Sequence, residues 1–314
     1  MSRWVQVVLA LLVLAVVAGA ACGVGFVAGA GLTGGLALGR NGVALIHVVG
    51  AIQTGEGGGL LAPEGAFSGR ITSQLRRAQR DASVRAVVLR VDSPGGGVTA
   101  SDEIRNEVLR TRTEHGKPVV VSMGSLAASG GYYVSAPADR ILANPTTITG
   151  SIGVITVIPN IQGLLEKVGI ETDVLTTGPH KDMTSGLRPL SEADRQILQG
   201  VIDDSYERFV QVVAEGRGME AARVQELADG RIFSGRQAQE AGLVDDLGDL
   251  PEAITLAGTL AGITGRPRVI EYDRGFRLGL SGASSWLGLA GPGTGLRALT
   301  GESLGLVQYL YVVP

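Results

Sequence analysis

Three glycine- and serine-rich stretches carry the residues most able to do covalent chemistry. The first is Asp92-Ser93-Pro94-Gly95-Gly96-Gly97. Its glycines permit positive φ and let backbone N–H groups face a ligand, although a plain turn has the same composition. The second is SLAASGGYY, with Ser129 ahead of Gly130-Gly131. A serine hydroxyl at a helix start lies beside exposed N–H groups, and the Gly130 N–H is placed to stabilise an oxyanion. A serine that only caps the helix is the ordinary alternative. The third is TTGPHKDM, which holds Lys181. Only three lysines occur, Lys117, Lys167 and Lys181, in a chain with 27 basic Lys and Arg residues. Arginine does not give up its proton, whereas a desolvated lysine does, so Lys181 is a candidate base for the Ser129 hydroxyl. Lys117 and Lys167 read as surface charges. Histidine is the competing base: His180 adjoins Lys181, so a Ser129–His180–Asp triad is a second arrangement. His115 reads as a solvated turn residue and His47 as a packed or partnered residue of a strand.

Such groups need a frame that holds them at strand ends. From residue 41, short apolar runs alternate with amphipathic ones. GVALIHVVGAI, RAVVLRV, KPVVVSM, RILANP, TTITGSIGVITVI and IETDVLTT read as strands. The stretches SGRITSQLRRAQRDASV, VTASDEIRNEVLRTRTEHG and PNIQGLLEKVG read as helices, and a long helix opens on a capping box from Ser191 to Asp194. Strands that are apolar throughout, alternating with helices, predict βαβ units around a parallel sheet covered on both faces. The closing LVQYLYVVP is β-prone: an edge strand or packing arm, or a strand added to a neighbouring subunit.

Composition narrows the class. Apolar residues are 45% and charged residues 18% of 314, which excludes extended disorder. The net charge of -3 gives no basic field for nucleic acid. A single cysteine, Cys22, excludes an internal disulfide framework, and three histidines offer little to a metal. From Trp4 to Leu38 no charged residue occurs, and Arg3 and Arg40 bracket the run. Its first part supplies roughly the 20 apolar residues that span a bilayer as a helix. A cleaved signal is the alternative; Ala20-Ala21-Cys22 is a poor lipoprotein cleavage site because Gly19 stands where a larger aliphatic residue is usual. The positive-inside tendency favours an N-terminus in the cytoplasm and a body outside it. The expected organisation is an anchor and Gly-rich linker over 1–39, a catalytic domain over 40–273 and a tail over 274–314.

The stretches VDSPGGGV, KPVVVSMGSLAASGGYYVSAPADRILANPTTITGSIGVI, PHKDM and GRIFSGRQAQEAGLVDDLG together resemble the signal peptide peptidase A family of membrane-bound serine proteases, in its short single-unit form. The resemblance covers about residues 40 to 260. It implies an α/β fold similar to the crotonase and ClpP superfamily, with Ser129 as nucleophile and Lys181, 52 positions on, as general base. It also implies that Ser151 orients the lysine and that the N–H groups of Gly96 and Gly130 form the oxyanion hole. No metal or cofactor is implied. The implied substrates are remnant signal peptides and other apolar segments, cleaved by a homo-oligomer at the extracytoplasmic membrane face. Three other readings compete: a stomatin-partner type of membrane protease, a catalytically silent peptide-binding scaffold, and an acyl-CoA enzyme of the crotonase type.

Overall fold

The computed structural model describes residues 41–57, 65–272 and 308–310. The chain divides into two units, Met1–Arg40 and Asn41–Pro314. The expected membrane-spanning segment lies outside the described residues, and among those described no helix is long and apolar enough to cross a membrane.

In chain order the strands are β1 (Gly42–Val49), β2 (Ile52–Gln53), β3 (Ala66–Phe67), β4 (Val84–Ser93), β5 (Gly95–Gly97), β6 (Val119–Ala128), β7 (Arg140–Ala143), β8 (Ile148–Gly150), β9 (Ile232–Ser234), β10 (Asp246–Leu247), β11 (Arg268–Glu271) and β12 (Gln308–Leu310). The helices are α1 (Ser68–Arg80), α2 (Val98–Thr113), α3 (Gly130–Ser135), α4 (Gln162–Lys167), α5 (Glu192–Arg217), α6 (Ala221–Leu227), α7 (Gly235–Glu240) and α8 (Leu250–Leu260). The main sheet runs β10-β7-β6-β4-β1-β11 with parallel neighbours throughout, and β8 joins the far end of β6.

Burial on both faces explains the unbroken apolar strands. Ala44, Ile46 and Val48 of β1, Val87, Leu89 and Val91 of β4, and Val119, Val121 and Met123 of β6 enter one core with helices α1, α2, α3 and α5. The intervening Val43, Leu45, Ala86, Val88 and Val120 enter a second core against Ala253, Ala257 and Ala261 at α8. Successive side chains of a strand point to opposite faces, so a two-sided core needs apolar residues at every position. Helix α1 presents Ile71, Leu75 and Ala78 to the core at helical spacing.

The capping box appears as expected: Asp194 N donates to Ser191 Oγ at 3.1 Å, and Ser191 N donates to Asp194 Oδ2 at 3.1 Å. Two expectations need correction. IETDVLTT forms no strand here; Val174 and Leu175 are exposed, and no β partner lies alongside to take the backbone hydrogen bonds. Lys117 is not a plain surface charge. Its ammonium donates to Ala78 O at 2.7 Å and Asp81 O at 2.8 Å, closing orphan carbonyls at the end of α1.

Candidate active site

Strands β4 and β6 are parallel neighbours, so their C-terminal ends share one edge of the sheet. That edge brings the DSPGGG and ASGG stretches together. Ser93, fully buried, latches the first: its Oγ donates to Gly50 O at 2.7 Å and accepts from Gly95 N at 3.1 Å. The next residue but two is Gly96, where only glycine fits. A Cβ there would stand 2.0 Å from Ile52 O, its neighbour in β2. Gly130 is confined too, though less tightly: its Cβ would lie 3.1 Å from Gly96 N and 2.7 Å from Ser101 Oγ. The two expected oxyanion donors are therefore adjacent in space though distant in sequence.

Ser129 joins β6 to α3 with no intervening loop, at φ 52° and ψ -117°. Its N–H donates to Gly150 O at 2.8 Å, and its carbonyl accepts from Tyr133 N at 2.8 Å. Such a conformation costs a non-glycine residue about 1–3 kcal/mol and persists only where the surroundings enforce it. The enforcement is visible. Both tyrosines of α3 are fully buried; Tyr132 Oη donates to Leu243 O at 2.9 Å and Tyr133 Oη to Asp102 Oδ1 at 2.6 Å. Tyr133 also stands edge-on to Phe209, with ring centroids 5.0 Å apart. Ser129 is 1% exposed, and its Oγ has no hydrogen-bond partner among the described residues. A buried hydroxyl is rarely left unmatched, and one that is calls for a functional reason.

Ser151 follows β8, whose Gly150 pairs with Ala128 of β6. It is buried, sits at φ 48° and donates its N–H to Arg231 O at 2.8 Å. Among the described residues, Ser129 and Ser151 are the non-glycine residues with positive φ. The backbone strain thus falls on two of the five residues singled out from the sequence.

The fifth stands apart. Lys181 lies in an exposed turn, and the Ser129 Oγ accepts no bond from it within one chain. The triad alternative fares no better. His180 Nδ1 is 2.7 Å from Asp194 Oδ1, a proper His–Asp pair, yet it too is unbonded to Ser129. His47 faces Glu271 at 3.9 Å on the neighbouring strand, and His115 is exposed.

Sequence reasoning missed two features. Ser101, wholly buried on α2, points an unpartnered Oγ at Gly130. A serine in VTASDEI gives no outward sign of this. Second, the turn carrying Lys181 is fastened by Arg188 and Asp194. Arg188 bonds both Asp182 oxygens, at 2.9 and 2.7 Å, and Asp194 Oδ2 at 2.6 Å. The Arg188 guanidinium, then His180 and Ser191, hold the Asp194 carboxyl far below the usual carboxylate range. The acid–base–acid spacing of six residues was the available signal.

The tail settles on this edge. Strand β12 pairs antiparallel with β5, Tyr309 opposite Gly96. The glycine strand, paired with β2 on one side, thus accepts an extended antiparallel segment on the other.

The sequence matches Peptidase family S49 over residues 111–264. It is 43% identical over 234 residues to a putative protease of Synechocystis sp., covering 74% of this chain and 79% of that one. It is 42% identical over 219 residues to Protease 4 of Salmonella typhi, covering 70% of this chain and 34% of that one. A putative signal peptide peptidase SppA of Enterococcus faecium is 43% identical over 219 residues, 69% of this chain and 61% of that one. The chain thus matches about a third of the Salmonella typhi protein's length. With a relative matched across most of both lengths and a strained serine at the sheet edge, the chain belongs to peptidase family S49.

Proposed function

We propose that this protein is a membrane-anchored serine endopeptidase that cleaves remnant signal peptides and other apolar segments outside the cytoplasm, on a crotonase- and ClpP-like fold. The observation that carries the reading is Ser129: buried, held at positive φ, its hydroxyl unmatched, beside the adjoining Gly96 and Gly130. The antiparallel seat of β12 on β5 supports a substrate bound as an added strand. The protease names of the relatives agree with the reading.

In the reaction, neutral Lys181 takes the proton of Ser129 as its Oγ attacks the scissile carbonyl. The N–H groups of Gly96 and Gly130 stabilise the oxyanion; one such donor is worth roughly 3–4 kcal/mol. The protonated lysine then gives its proton to the leaving amine, and water activated by the same lysine releases the acyl group. Ser151 orients the lysine. Lysine works as a base only when desolvated, and a single chain leaves Lys181 exposed. The lysine therefore reaches the serine from a neighbouring copy in a homo-oligomer. The exposed apolar Val157, Leu164, Val168 and Leu175, from the segment between Ser151 and Lys181, supply surface for that contact.

The test is cleavage of an apolar fluorogenic peptide by the full-length protein. Ser129→Ala should abolish cleavage and fluorophosphonate labelling, and Lys181→Arg should be as inactive as Lys181→Ala, because charge is kept but the base is lost. Substantial activity in Lys181→Arg would remove this lysine from the mechanism.

A further inference from the structure

The three residues bracketing Lys181 are all tied to one pair of side chains. Arg188 Nη2 donates to Pro179 O at 3.1 Å and to Asp182 Oδ1 at 2.7 Å. Its Nε donates to Asp182 Oδ2 at 2.9 Å, completing a fork on that carboxylate. His180 is held at 2.7 Å by Asp194 Oδ1, and Asp194 Oδ2 accepts from Arg188 Nη1 at 2.6 Å. Asp194 itself is fully buried and belongs to the first turn of α5, which is anchored in the core through Phe209, Val210 and Val213. Residues 179, 180 and 182 are thus fastened to a long rigid helix, while the side chain between them projects freely.

Ordinary turns do not need this. Residues 179–184 make few backbone bonds of their own: Lys181 N to Gly178 O and Met183 N to His180 O, both 3.3 Å, and Ser185 N to Asp182 O at 2.9 Å. Side-chain bonds to ionised groups, worth more than neutral ones, replace the missing backbone ladder. A planar guanidinium can meet both carboxylates and a carbonyl at once, and an ammonium cannot.

We infer that Arg188, with Asp182 and Asp194, forms a clamp that positions Lys181 for proton transfer, so that these three are positioning residues for the base. The inference rests on the reading of Lys181 as that base. The clamp fixes the direction in which the lysine projects from its turn relative to α5, which matters most when its target lies in another copy. A misplacement of about 1 Å at a reacting group can cost about a hundredfold in rate.

The experiment measures kcat and KM of the full-length, assembled protein on the fluorogenic peptide, with melting temperature and assembly mass beside them. Arg188→Ala should lower kcat by roughly 10- to 100-fold, leave KM within about twofold, and recover in part on addition of guanidinium ion. Arg188→Lys should lie between. Asp182→Asn, which keeps shape and loses the ion pair, should show the same split even if Arg188→Ala fails to assemble. Unchanged kcat in Asp182→Asn and in an assembled Arg188→Ala, with Lys181→Ala inactive, would overturn the clamp alone. Activity in Lys181→Ala would overturn the base assignment and the clamp with it.

Discussion

The unmatched hydroxyl of Ser129 makes a stability prediction that also reports on its meeting with Lys181. The Oγ is buried and accepts or donates nothing among the described residues. An unsatisfied buried hydroxyl costs about 1–3 kcal/mol. In a Lys181→Ala background, Ser129→Ala should therefore stabilise the protein by that amount. For a body of this size each kcal/mol raises the melting temperature by about 2–4 °C. The strained φ of 52° is untouched by alanine, so no gain is counted for it. With Lys181 as the base, as proposed, the lysine would satisfy the hydroxyl in the wild-type background, and the gain should shrink by the worth of one hydrogen bond, about 1 kcal/mol. The difference between the two backgrounds is a double-mutant coupling energy, and it is read the same way whether the lysine comes from the same chain or the next. The assay is thermal unfolding of all four proteins at one fixed concentration, because association makes melting temperatures concentration-dependent. Equal gains in both backgrounds, to within about 0.5 kcal/mol, with the assembly intact, would refute the meeting of Ser129 and Lys181. Destabilisation in the Lys181→Ala background would refute the unmatched hydroxyl itself.

Three further outcomes follow from the geometry. Gly130→Ala places a Cβ 3.1 Å from Gly96 N and 2.7 Å from Ser101 Oγ, so it should part the proposed oxyanion donors and cost kcat about 100-fold with KM little changed; steady-state kinetics decide, and a normal kcat would remove Gly130 from that proposed role. A chain ending at Leu306 lacks the strand seated on Gly95–Gly97, so KM for peptides should fall at constant kcat as an intramolecular competitor is lost; an unchanged KM would show that the tail does not compete for the site. The carboxyl of Asp194 is depressed by Arg188, His180 and Ser191, so its stabilisation is complete above the unfolded value of about 3.9 and is lost as pH falls through the folded one. The melting-temperature gap between wild type and Asp194→Asn should narrow as pH falls below the unfolded value, as thermal scans across pH would show; a gap that does not narrow there would contradict the clamp's charge state.

The amino-acid order alone settled whatever depends on near neighbours. Runs of consecutive apolar residues in β1, β4 and β6 announced a sheet buried on both faces, because side chains alternate along a strand. Ser191 and Asp194, three apart, announced the start of α5. Gly-Gly after Ser129 announced a tight passage from strand to helix, although the atoms that leave no room for a Cβ there belong to Ser93, Gly96 and Ser101. Other features waited on the third dimension. Gly96 and Gly130 meet only because β4 and β6 pair in a register that aligns their ends. The positive φ of Ser151 is imposed by Arg231 and the β8–β9 pairing, from the far side of α5 and α6. IETDVLTT has the composition of a strand, but a strand exists only with a partner to bond, and this fold supplies none. Arg188 looked like one basic residue among many; its fork on Asp182 and Asp194 appears once the turn folds back on the helix. Periodicity and caps act over a few residues and are written in the sequence. The adjacency of Gly96 and Gly130 beside Ser129 is a matter of register and packing, and those are fixed by the whole sheet at once.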